Sequence, residues 1–162
     1  RNNQAEVAQK IMQEASAYAH SINNAEKEFE MLLNLGESHL VLGQLEKASA
    51  LYTDICDQAK RRKRPQEEAF ATGRLGVVLA ESGKLEEAIK IHHQAIALAR
   101  ENQLQQIEAE QLSMLALAYH AQQDKAQATT HCQQAIDLYT ATENGEAAEK
   151  ARQLLAQILA LE

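Results

Sequence analysis

The 162-residue chain has no tryptophan, one proline, two cysteines and 4% aromatic residues. Each scarcity excludes something. With few strand formers, a sheet has little to be built from. A single proline, Pro65, leaves long stretches free to run as uninterrupted helix. Cys56 and Cys132 stand far apart with no CxxC spacing. The two read as buried thiols, suited to a reducing cytosol, rather than as a disulfide or reactive pair. A cytoplasmic location is therefore expected. Mean hydropathy is −0.43, and no apolar run approaches the ~18–20 residues a membrane span needs. No membrane partner is expected. Cations are outnumbered by carboxylates, 16 to 23, for a net charge of −7, which argues against nucleic acid as a partner of the surface as a whole.

What remains is helix-former composition, rich in alanine, leucine, glutamine and glutamate, with 45% hydrophobic residues. The length suffices for one domain with a core. A spacing then organises it. Leu35-Gly36, Leu75-Gly76 and Leu115-Ala116 recur at an interval of 40 residues, as do Ala48, Ala88 and Ala128. A fixed period of this size marks a repeat array.

In that frame residues 1–162 form a single solenoid. Residues 25–62, 66–102 and 104–141 are three helix hairpins. Gly43 and Gly83 stop first helices, Pro65 opens a helix, and Asn24 and Asp124 stand where N-caps belong. Residues 4–20 form an amphipathic helix with Val7, Ile11, Ala15 and Tyr18 at helical spacing. Shifted by one period, Ala8, Met12 and Ala15 fall on Ala48, Tyr52 and Ile55, so this helix matches a second helix whose first is missing. Either the chain is cut from a longer protein or the helix caps the array. Residues 146–161 form a last helix that closes the other end. Bare apolar edges on the two end helices would allow homo-oligomerisation.

Small residues at Gly36, Gly76, Ala48 and Ala88 let paired helices approach closely, and larger residues fill the gaps. Leu35-Gly36-x2-His39 with Ala48-x3-Tyr52, Leu75-Gly76-x2-Leu79 with Ala88-x3-His92, and Leu115-Ala116-x2-Tyr119 with Ala128-x3-Cys132 resemble the tetratricopeptide repeat pattern W-x2-L-G-x2-Y, then A-x3-F. Leu32, Thr72 and Leu112 occupy its tryptophan position. The longer period is similar to that of spindle-orientation adaptors, kinesin light chains and bacterial regulatory repeat arrays. The resemblance implies an all-α, right-handed α-solenoid of antiparallel hairpins whose first helices line a concave face. It implies a non-catalytic module that binds a protein or peptide partner there, as a scaffold or adaptor. The alternative is a regulatory sensor arm of a larger signalling or ATPase protein.

On the first helices, the face beside the packed positions carries Leu33, Glu37 and Leu40, then Arg74, Val77 and Glu81, then Ser113, Met114, Leu117 and His120. Glu30, Phe70 and Glu110 share it. This is an apolar floor with acidic edges, suited to an amphipathic helix or an extended peptide with basic flanks. The competing reading makes Leu33, Val77 and Leu117 stacking core between repeats. Chaperone-docking relatives clamp a terminal carboxylate with Lys and Asn, but those places hold Leu33, Glu37, Gly73 and Val77.

The run Lys60-Arg61-Arg62-Lys63-Arg64 is either a partner-binding basic patch or a helix C-terminus that favours cations. Among six histidines no pair has the i, i+4 spacing of a helical zinc site, and adjacent His92 and His93 diverge by about 100° on a helix. No metal or cofactor is expected. His39 and His92 take packing positions and, if partly buried, would titrate near pH 6–7. No nucleophile–base set or phosphate loop is legible, so no enzyme is expected.

Overall fold

The computed structural model describes residues 2–160. The side chain of Ala8 and the expected end of the last helix at 161 lie outside the described residues. Eight α-helices follow one another among those described: α1 (Asn2–Ser21), α2 (Ala25–Val41), α3 (Leu45–Arg61), α4 (Pro65–Glu81), α5 (Leu85–Glu101), α6 (Gln105–Ala121), α7 (Lys125–Ala141) and α8 (Gly145–Ala160). Each packs on the next, forming sequential antiparallel hairpins.

The joints explain the regularity. Every connection is three residues long, and its middle residue has positive φ: Asn23, Gly43, Lys63, Gly83, Gln103, Gln123 and Glu143. The next backbone N–H reaches back five residues, as Gln44 to the His39 carbonyl at 2.8 Å and Asp124 to Tyr119 at 3.0 Å. This satisfies carbonyls that a helix end leaves orphaned. Asn24, Asp124 and Asn144 cap the following helices by accepting from the N–H groups of Lys27, Gln127 and Ala147. Identical joints on 17-residue helices keep α2 to α7 in step.

Close approach is set by small residues. Ala48, Ala88 and Ala128 are wholly buried. A Cβ on Gly36 would stand 2.6 Å from Tyr52 Cζ, and one on Gly76 would stand 2.7 Å from His92 Cε1. In the third hairpin the corresponding pair is Ala116 and Cys132, both buried. Where the first helix gains a methyl, its partner gives up a ring. Cys132 Sγ donates to the Ala151 carbonyl on α8 at 3.2 Å.

Two expectations are corrected. The stripe Val7, Ile11 and Tyr18 on α1 is solvent-facing, at 53%, 59% and 67% exposure. The buried side of α1 carries Gln9, Ser16 and Ala19 instead. The reason is positional: Ile11 and Tyr18 sit where Leu51, Leu98 and Leu138 are half-buried on later second helices, and among the described residues α1 packs mainly against α2. The second concerns His92, which is buried outright rather than in part. Burial pushes its imidazole below its ordinary 6.5, although Gln111 opposes this. Its Nδ1 lies 3.0 Å from Gln111 Oε1. The Gln111 side chain crosses from α6 into the notch over Gly73, where any Cβ would collide with it.

Candidate functional site

The first-type helices α2, α4 and α6 lie side by side. α4 touches both neighbours, while the described residues show no comparable contact among α3, α5 and α7. A layer whose helices stand closer together is the inner side of a curved stack. The inner side therefore carries a groove crossing α2, α4 and α6 and reaching α8.

Towards the N-terminal ends of these helices the groove holds two adjoining clefts. One, of about 610 Å³, runs between Glu26, Glu30 and Leu33 of α2 and Pro65 and Gln66 of α4. The other, of about 460 Å³, has Phe29, Leu33, Phe70, Ile107 and Tyr139 on its apolar side, with Glu110. Towards the opposite ends lies a third cleft of about 300 Å³, formed by Val77, Ala80, Leu85, Met114, Leu117 and Ala121 with Glu81 at its rim. Leu117 is 42% exposed, so it is groove surface rather than stacking core.

Between these compartments stands a polar tie. Arg74 on α4 pairs with Glu37 on α2, and Tyr52 donates to the same carboxylate at 2.6 Å. Burial first, and the Glu37 bond second, push the Tyr52 phenol well above its ordinary range. Burial works to lower the Arg74 guanidinium, but Glu37 outweighs it and holds the charge firmly. Arg74 Nε is buried and has no partner among the described residues. Glu110 approaches from the α6 side. Burial raises its carboxyl above the ordinary 4.5, with Arg74 pulling the other way.

Of the residues expected on this face, Leu33, Val77, Glu81, Met114 and Leu117 line the clefts, as do Glu30, Phe70 and Glu110, and Glu37 and Arg74 form the tie between them. Leu40, Ser113 and His120 do neither. Leu40 packs against the core formed by Tyr52, Ile55 and Val78. Ser113 turns its hydroxyl back to the Ala109 carbonyl at 3.1 Å. His120 is half-buried beside the C-terminal end of α6. The sequence reading missed Phe29, Ile107, Tyr139 and Ala147. Tyr139 had a signal, since Ala19, Ala59 and Ala99 hold the equivalent positions. A ring in a register of methyl groups must project somewhere, and it projects into the groove.

The basic run divides. Arg62 reaches Glu28 at 2.9 Å and Arg64 reaches Glu67 at 2.6 Å. Burial works to raise the Glu28 carboxyl, but Arg62 and His20 outweigh it and hold it low. Lys60, Arg61 and Lys63 are exposed. Two of the five cations thus serve the packing of neighbouring helices. Among the described residues no helix is long and apolar enough to cross a membrane.

Residues 71–106 and 109–146 each match the tetratricopeptide repeat family. No curated protein sequence matches the chain. Several solved structures share the fold. BtubC (BKLC) from P. vanneervenii is 18% identical, with a TM-score of 0.72 over 97% of this chain and 72% of that one. A Podosopora anserina putative kinesin light chain with nearly identical TPR-like repeats is 16% identical, with a TM-score of 0.71 over 97% and 78%. MamA from Desulfovibrio magneticus RS-1 is 17% identical, with a TM-score of 0.52 over 95% and 94%. The 40-residue hairpins, the Gly36–Tyr52 and Gly76–His92 contacts and both family matches place this chain among the tetratricopeptide repeat proteins.

Proposed function

We propose that the chain is a non-catalytic interaction module that holds a segment of a partner protein in its concave groove. Tetratricopeptide repeats commonly mediate protein–protein interaction. The observation that carries the reading here is the groove itself. Its clefts lie on either side of the Arg74–Glu37 tie, floored by Leu33, Phe70, Val77 and Leu117, and edged by Glu26, Glu30 and Glu81. Binding energy would come from apolar side chains entering preformed clefts, with little ordering cost on the module's side. Carboxylates at the rim would select the partner and steer its approach.

Affinity capture from native lysate tests this with the parent chain and a Val77→Arg/Leu117→Arg variant. Both positions are at least partly exposed, so the arginines can be accommodated without unfolding, and circular dichroism must show equal helicity. The expected outcome is a partner retained by the parent and lost by the variant. Equal capture by both would place binding off the groove.

A further inference from the structure

Glu110 is the one carboxylate among the residues lining the cleft shared by α2, α4, α6 and α7, and no lining residue is a cation. Nothing among the described residues donates a hydrogen bond to it. The nearest cation, Arg74, is committed to Glu37. Beside Glu110 the cleft presents the rings of Phe29, Phe70 and Tyr139. A half-buried carboxylate with neither a hydrogen bond nor an ion pair is costly in isolation, and a cation supplied from outside recovers that cost. Aromatic faces beside it accept both the aliphatic stem and the charge of a basic side chain.

We infer that this cleft receives a basic side chain, arginine or lysine, from the bound segment, its charge at Glu110 and its stem along Phe29 and Phe70. The inference rests on the groove reading above and adds what the groove selects. Charge complementarity fixes the occupant's chemistry: in the adjoining cleft Glu26, Glu30 and Glu67 outnumber the one lining cation, Arg64, although Glu30 pairs with Lys27 and Glu67 with Arg64, and the whole chain carries a net −7. The raised carboxyl of Glu110 adds a pH dependence. Contact with a cation weakens as pH falls and Glu110 takes up a proton.

The test uses a displayed library of random peptides, selected on the full chain, with each binder's site mapped by amide chemical shifts. Groove-binding peptides are expected to carry an arginine or lysine. Replacing that residue with citrulline or glutamine should weaken binding to the parent about tenfold and binding to a Glu110→Gln variant hardly at all. Affinity for the parent should fall between pH 7 and pH 5, and affinity for the variant should not. Glu110→Gln keeps the shape of a side chain whose charge is already disfavoured, so it should fold, and its helicity is checked first. Groove binders without a basic residue, or an equal loss in parent and variant, overturn this inference and leave the groove reading standing. If no peptide is selected, or if every binder maps outside the groove, both fail.

Discussion

A histidine exposed to only 1%, set against Gly76 on one side and Gln111 on the other, makes folding depend on pH. In the folded chain burial holds the His92 imidazole below 6.5, the value it regains on unfolding. Below about pH 6.5 the unfolded chain therefore binds a proton that the folded chain refuses, and stability falls as pH falls. The slope for one such group reaches at most ~1.4 kcal/mol per pH unit. Urea unfolding at pH 7.5, 6.5 and 5.5 should show the parent losing stability on acidification. A His92→Gln variant should lose distinctly less over the same range, whatever its own stability. Burial also lowers His131, so a smaller slope of the same sign should remain. The packing role of His92 was legible, because the 40-residue frame put it where Tyr52 stands. Its lowered imidazole was not legible, because the burial that lowers it depends on neighbours remote in sequence, Gly76 across the hairpin and Gln111 from the next one, and Gln111 also opposes the shift.

The element that repeats most faithfully is the turn, and the sequence hides it. Gly43 and Gly83 read as helix stops, but the other five joints place Asn23, Lys63, Gln103, Gln123 and Glu143 in the same left-handed conformation. A side chain there costs roughly 1–2 kcal/mol, whereas glycine costs roughly 0.5–1 kcal/mol in lost freedom on folding. Gln123→Gly should therefore stabilise the chain by about 0.5–1 kcal/mol, read as a higher urea midpoint at unchanged slope. Gln123 is exposed, so nothing packed is lost. A lower midpoint would mean that the turn is held by more than its backbone. The same blindness explains α1. Its spacing of Val7, Ile11 and Tyr18 is truly helical, but amphipathic spacing names a stripe and not the neighbour that covers it. The groove was partly legible for a related reason. Counting along first helices found Leu33, Val77 and Leu117, and could not find Tyr139, which enters from the end of α7.

Across the whole molecule, stability in a stack of hairpins is a sum of nearest-neighbour interfaces, so it varies along the chain. One core joins α5 to α8 through Ile96, Leu112, Leu115, Ile136 and Ile158, and another joins α2 to α4 through Tyr52, Ile55 and Val78. Among the described residues α1 rests mainly on α2, and two of its three described buried residues, Gln9 and Ser16, are polar. Gln9 Nε2 meets the Ser38 hydroxyl at 3.3 Å and His39 Nδ1 at 3.2 Å, a modest hold against the entropy of an ordered helix. Hydrogen exchange at pH 7 should find the amides of α1 exchanging at least about tenfold faster than those of α5 to α7. Uniform protection would mean that the eight helices open as one unit. The gradient bears on binding, because α1 supplies nothing to the three groove clefts among its described residues. A peptide seated between α2, α4 and α6 should slow exchange in those helices and leave α1 opening as before. Protection that spread to α1 would instead show that occupancy of the groove tightens the whole stack.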